Sequence, residues 1–268
     1  MENVLYEPKI TKLKTTLGII RLIKNFPLYF AEYFGIINQK YLQYTLNNNI
    51  RITVRSKTHD SGIIAGVMIH NEYTPKGFEI ATGDIVVDVG AHIGVFSIFA
   101  STKKGAGKVY AIEPAPDNYA LLEQNITNNN IKNIYPFNLA ISAKNGKQDF
   151  FLYDDTVGHS LYVRKGMKSN KISVKTSSFE NFMKQNKIKH IDFLKIDCEG
   201  AEYPLLFNLP KTILEKIKKL SIEYHYVDNE NNIFVLKEFL QKRGFEFTTL
   251  FYTPTSGILY AKQKETIF

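Results

Sequence analysis

The chain lacks a second cysteine. Cys198 stands alone among 268 residues, which excludes an internal disulfide and points to a reducing compartment. No signal peptide is expected either, because Glu2 and Glu7 come early and no small-residue cleavage site follows an apolar stretch. A membrane span needs about 20 nearly uncharged apolar residues. The most apolar early segment, Leu17 to Ile37, carries Arg21, Lys24, Pro27 and Glu32. It reads as a helix packed on the core or, alternatively, lying against lipid or a partner, and a cytoplasmic protein without a transmembrane span is expected. No block of five or six basic residues accompanies the net charge of +8, so the charge reads as solvated surface. Internal repeats and low-complexity stretches are absent too.

What is present is core material. Hydrophobic residues make up 44% of the chain and aromatic ones 13%, which excludes disorder over most of its length. Two regions differ in pattern. Residues 1–80 read as an α+β extension: 1–50 helical and Lys-rich, then Ile50 to Arg55 alternating as a half-exposed strand, with Gly62 to His70 expected as a second strand. Residues 81–268 read as the main domain, where apolar runs alternate with helical segments as in a mostly parallel sheet covered on both faces.

The expected strands there are Ile85–Val89, Val109–Glu113, Ile134–Ala140, Ile191–Asp197 and Leu220–His225. The expected helices are Val95–Ser101, Asp117–Asn129, Ser178–Lys187 and Asn232–Arg243, the last stopped by Gly244. Phe245–Tyr252 and Gly257–Lys262 read as a closing antiparallel hairpin. Between Gly146 and Thr176 the strands are short and polar, as in an inserted β-element at a sheet edge, a common place to shape a second substrate's site.

The chemistry-bearing signal is Asp88-Val-Gly-Ala-His-Ile-Gly94, a glycine turn that follows an apolar strand and opens a helix. The next strand ends in Glu113, placed to accept hydrogen bonds from ribose hydroxyls; the plainer reading is a helix-start carboxylate before Pro114 and Pro116. A dinucleotide fingerprint started at Gly90 would need glycines where His92 and Val95 stand, so a cofactor without a pyrophosphate fits better. At the carboxyl ends of later strands stand Asp197 with Glu199, and Glu223 with His225 on one strand face.

The turn Asp88–Gly94, then Glu113-Pro-Ala-Pro116 with Asn118, Leu122 and Asn125, resembles the FkbM-type methyltransferases. Ala140-Ile-Ser142, the long motif Asp192–Glu202 and Ile222-Glu-Tyr-His225 are similar to that family's later motifs, over roughly Gly83 to His225. One departure is His92, where the family usually has Asn. The resemblance implies a Rossmann-like class I methyltransferase sheet and S-adenosyl-L-methionine as cofactor. Asp88 and the turn Gly90, Ala91, His92 and Gly94 would hold the methionine part, Glu113 the ribose with Pro114 beside it, and Ala140 with Ser142 the adenine border. Asp197 joins both the cofactor and the catalytic sets.

The implied reaction is in-line transfer of the methyl group to a hydroxyl of a small molecule or glycan. His225 is the expected general base, with Glu199 and Asp197 as the other catalytic candidates. No resident metal is expected, although Asp197, Glu199, Glu223 and His225 leave a cation-assisted version open. Two rivals remain. An RNA methyltransferase suits the net charge but not the carboxylate pair Asp197 and Glu199. A non-catalytic cofactor- or partner-binding module would leave the polar strand ends unexplained.

Overall fold

The computed structural model describes residues 4–5, 12–153, 158–162 and 168–264. The first elements are β1 (Val4–Leu5), α1 (Lys12–Leu22), α2 (Phe26–Tyr33), β2 (Tyr41–Thr45), β3 (Arg51–Arg55) and α3 (Asp60–Met68). The apolar stretch Leu17–Ile37 breaks into α1 and α2 at Pro27, which lacks an N–H and therefore suits the first turn of α2.

Two expectations fail in this region. Residues 1–50 are not all helical, because β2 lies among them and pairs antiparallel with β3, Leu42 opposite Val54. Gly62–His70 is no strand: it forms most of α3, with Ile64, Ala65, Val67 and Met68 buried at helical spacing. A short apolar run suits a buried helix as well as a strand, and here packing decided.

From Ile85 strands and helices alternate. They are β4 (Ile85–Val89), α4 (Val95–Ile98), β5 (Lys108–Ile112), α5 (Pro116–Asn128), β6 (Ile134–Phe137), β7 (Ala140–Ile141), β8 (Gly146–Tyr153) and β9 (Ser169–Ser177). Then come α6 (Phe179–Gln185), β10 (Ile191–Ile196), α7 (Glu202–Phe207), α8 (Lys211–Leu214), β11 (Ile217–His225), α9 (Ile233–Gln241), β12 (Phe245–Thr253) and β13 (Ser256–Gln263). The expected helix Val95–Ser101 changes pitch after Ile98 into a π-helical turn, Phe99–Lys103. The expected strand Ile134–Ala140 divides in two where the Asn138 amide donates to the carbonyls of Glu113 and Pro114 and draws the chain off the sheet.

Among the described residues the main sheet has the order β1-β12-β13-β11-β10-β4-β5-β6. Strands β4, β5, β6, β10 and β11 are parallel, and β13 runs antiparallel between β11 and β12. The insertion is a separate small sheet, β7-β9-β8. The order reverses between β4, which leads to β5 and β6, and β10, which leads to β11. Open α/β sheets bind ligands at such a point, beyond the carboxyl ends of the strands.

Alternate residues of each strand enter opposite layers. Val86, Val109, Ala111 and Phe193 join one buried cluster, while Val87, Tyr110, Ile112 and Leu194 join the other. The first cluster also takes in Ile19, Tyr44, Ile52, Val54 and Ile64, so the early elements share one core with the β4–β5 half of the sheet. No helix among the described residues is long and apolar enough to cross a membrane.

Candidate active site

A cavity of about 390 Å³ opens at the switch point, with walls from α3, β4, β5, β7, β10, β11 and the insertion. Its two ends are built differently.

The first end is backbone. After β4 the chain turns through Gly90 at φ +81° and Gly94 at φ +89°, a region that favours glycine. A Cβ on Gly90 would stand 1.7 Å from the Asp197 carbonyl oxygen, so only glycine lets the ends of β4 and β10 approach this closely. Gly94 packs on the Leu122 side chain.

Asp88 is fully buried and does not line the cavity. Its carboxylate accepts from Ser97 Oγ at 2.7 Å and pairs with Lys195 Nζ at 3.1 Å, which anchors the turn from below. Glu113 does line the cavity, and its two oxygens accept from the backbone N–H groups of His92 (2.8 Å) and Ala115 (2.9 Å). Burial pushes its pKa up to about 7 against those two bonds, which favour the anion.

The second end is carboxylate. Lys195 Nζ, buried inside β10, donates to the Gly90 carbonyl at 2.9 Å and lies 3.5 Å from Asp197 Oδ2. Burial alone would lower its pKa, but Asp88 and Asp197 outweigh burial and raise it. The Tyr73 hydroxyl bridges Asp197 Oδ2 at 3.0 Å and Glu223 Oε2 at 2.8 Å. One hydroxyl proton satisfies one carboxylate at a time, so the other oxygen must bring its own proton. Glu223 is that group: burial, then the nearby Asp197 charge, push it up to about 8. Glu72 faces the same cavity, pushed up to about 7 by burial and Asp197.

His225 sits beside this end but not in the cavity wall. Its Nε2 is 3.4 Å from Glu199 Oε2 and its Nδ1 is 3.4 Å from Glu202 Oε1. Burial disfavours the imidazolium, but Glu202, by hydrogen bond and by charge, outweighs burial and raises the ring's pKa. Two flanking carboxylates favour the imidazolium, the form that cannot accept a proton. Glu199, held at φ +54°, does line the cavity.

Of the expected site residues, the structure brings Gly90, Ala91, His92, Glu113, Pro114, Ala140, Asp197 and Glu199 to one cavity. It leaves Asp88, Gly94, Ser142 and His225 outside the wall. Ser142 is occupied in the small sheet, its N–H bonded to Ser177 O and its hydroxyl donating to Gln148 at 2.9 Å. Sequence reasoning missed Glu72, Tyr73 and Lys195. The signal for Lys195 was a lone lysine in a mostly apolar strand, a residue almost never buried without a partner. Glu72 and Tyr73 follow α3 in an irregular segment that carries no such signal.

These residues suit S-adenosylmethionine: a ribose-competent Glu113, an apolar wall of Ile112, Ala140 and Ile141, and a buried His92 Nδ1 with no hydrogen-bond partner among the described residues.

The methyltransferase FkbM domain model matches residues 88–247, more than half of the chain. Methyltransferase 1 of Beauveria bassiana is 23% identical over 200 residues, covering 66% of this chain and 80% of that protein. The 31-O-demethyl-FK506 methyltransferase FkbM of Streptomyces tacrolimicus is 25% identical over 185 residues, covering 58% and 71%. The crystal structure of methyltransferase FkbM from Methylobacillus flagellatus aligns at a TM-score of 0.51 and 15% identity, over 93% of this chain and 58% of that one. That likeness speaks to the fold.

Proposed function

We propose, on the premise that the chain belongs to the FkbM methyltransferase family and uses S-adenosylmethionine, that it methylates a hydroxyl oxygen of a small-molecule or glycan acceptor. One observation carries the reading: a single cavity joins the turn Gly90–His92 and Glu113 to the assembly Asp197–Tyr73–Glu223. When bound, the cofactor supplies a sulfonium methyl group for in-line displacement.

The chain's own residues do the rest. Gly90, Ala91 and His92 receive the methionyl part, Asp88 and Gly94 hold that turn in shape, and Glu113 with Pro114 takes the ribose. Ala140 borders the adenine, and Ser142 keeps β7 on its sheet. A neutral hydroxyl is a poor nucleophile, so a base in the cavity matters. Asp197 fills that role. It accepts from the Tyr73 hydroxyl with Lys195 Nζ 3.5 Å away, and it takes the acceptor's proton. Glu199 orients the acceptor, and His225 positions Glu199. The carboxylates at this end are a poor lining for a phosphate-rich nucleic acid.

Calorimetry should show S-adenosylhomocysteine binding in the micromolar range or tighter, and a methyl-transfer assay over polyol and glycan acceptors should yield a methyl ether. Tight NAD binding with no S-adenosylhomocysteine binding would overturn the assignment.

A further inference from the structure

The residue that departs from the family's usual pattern, His92, is held by residues before the family-matching region. Arg55, at the end of β3, and Asp60, at the start of α3, form a paired contact: Arg55 Nε to Asp60 Oδ2 at 2.9 Å and Nη2 to Oδ1 at 3.1 Å. Arg55 Nη2 also lies 2.9 Å from His92 Nε2. A guanidinium nitrogen has hydrogens to give and no lone pair to offer, so Nη2 spends one hydrogen on Asp60 and the other on the imidazole. Asp60 Oδ1 also stands 3.4 Å from His92 Nε2, but the guanidinium is nearer at 2.9 Å and can only donate, so Nε2 is the acceptor nitrogen. Burial pushes the ring's pKa down to about 4, so the ring is neutral near neutral pH. The single ring proton must then sit on Nδ1.

That Nδ1–H is buried and meets no hydrogen-bond partner among the described residues. It belongs to a cavity-lining residue at φ +51°, whose backbone N–H is already given to Glu113. The other strong donor nearby, Lys195, is engaged by Asp88, Asp197 and the Gly90 carbonyl. An acid-lined cavity with its cation occupied still has to satisfy the anionic end of an amino-acid group.

The same strand is pinned to the turn a second time. The Asn125 amide accepts from Thr53 N at 2.7 Å and donates to Thr53 O and to Ile93 O. The geometry of Arg55 is thus fixed relative to His92.

We propose that Arg55 and Asp60 are positioning residues for the cofactor turn: they lock His92 as the Nδ1–H tautomer, and that N–H is the donor for the cofactor's methionyl carboxylate. The proposal rests on the S-adenosylmethionine site described above.

The test uses the full chain and two probes, S-adenosylhomocysteine and 5′-methylthioadenosine, which keeps the nucleoside but has no carboxylate. In the free protein, ¹⁵N-histidine spectra should show His92 protonated at Nδ1 and bare at Nε2. S-adenosylhomocysteine should shift the Nδ1 resonance and methylthioadenosine should not. His92→Phe, and the charge-balanced pair Arg55→Gln with Asp60→Asn, should each weaken S-adenosylhomocysteine by about tenfold, the scale of one hydrogen bond to a charged group. Methylthioadenosine affinity should stay within about twofold, which a merely structural defect would not spare. In a His92→Asn background, where an amide N–H needs no tautomer, the Arg55 and Asp60 changes should cease to matter. A proton on Nε2, or equal losses for both probes, overturns the proposal. A parent that binds methylthioadenosine but discriminates no carboxylate overturns it while leaving the cofactor assignment standing. A parent that binds neither probe overturns both.

Discussion

The two ends of the cavity solve opposite problems. At the β4 and β5 end the carboxylates are matched before any ligand arrives, Glu113 by two backbone N–H groups and Asp88 by Ser97 and Lys195, and the His92 Nδ1 is the polar atom left open. At the β10 and β11 end Glu72, Asp197 and Glu223 crowd together, and burial with mutual repulsion pushes the pKa of Glu72 up to about 7 and that of Glu223 up to about 8. The first end is a mould and the second a set of charges under tension. Recognition of an invariant cofactor suits a mould, and proton transfer suits groups whose charge is easily changed.

Substitutions break this comparison in graded ways. Asp197→Asn should lower turnover about 10²–10⁴-fold and leave S-adenosylhomocysteine affinity nearly intact. Glu223→Gln is the matched control. If Glu223 already carries its proton, an amide that still donates to Tyr73 should cost less than about tenfold in turnover near pH 7. Equal losses in the two variants would move the base to Glu223.

The same pair has a pH signature. A carboxyl whose folded pKa is raised from 4.5 to about 8 favours the fold while protonated, so stability should fall as pH climbs through that window. Denaturant titration from pH 5 to pH 8 should show a flatter profile for Glu223→Gln than for the parent.

Gly90→Ala tests the mould. Its Cβ would strike the Asp197 carbonyl at a φ that disfavours alanine, and a loss of about 2–4 kcal/mol should appear in thermal melts. Glu113→Ala should weaken cofactor binding by about 1–3 kcal/mol in calorimetry with the fold retained. Parent-like binding would reduce Glu113 to a brace for His92 and Ala115.

The smallest effect belongs to His225→Gln. It should cost about 1–2 kcal/mol of stability and less than about tenfold in turnover. The stability difference should be largest below pH 6.5 and shrink as pH rises through the raised folded value. A stable variant that loses turnover like Asp197→Asn would restore His225 as the base.

The parallel sheet was legible because β4, β5 and β10 are nearly uniform apolar runs, a pattern that only burial on both faces explains. The glycine turn after β4 was legible because its glycines and Glu113 are local in sequence. The acceptor end was half legible: Asp197 and Glu199 stood at a strand end, but Tyr73, which joins Asp197 to Glu223, comes from 124 residues away. No periodicity reports such a contact. The misreading of α3 has the same root, since Ile64 to Met68 is short and apolar and its conformation is set by what covers it. His225 reads as a base because histidine titrates near neutrality; its two flanking carboxylates, Glu199 and Glu202, which bear on that role, become visible only in three dimensions.

Late and early parts of the chain are tied together: Tyr260, in β13, donates its hydroxyl to the Glu72 carbonyl, and Ile258 and Tyr260 join the cluster that Ile19 and Tyr44 begin. During synthesis this places a wait on the early elements. Residues up to 80 emerge first, yet two members of their core, Ile258 and Tyr260, are made near the end, and contacts of such long range form slowly because the loop must close before it is rewarded. The carboxylate end of the cavity, where Glu223 stands on the strand that pairs with β13, is therefore among the last parts of the molecule to take shape.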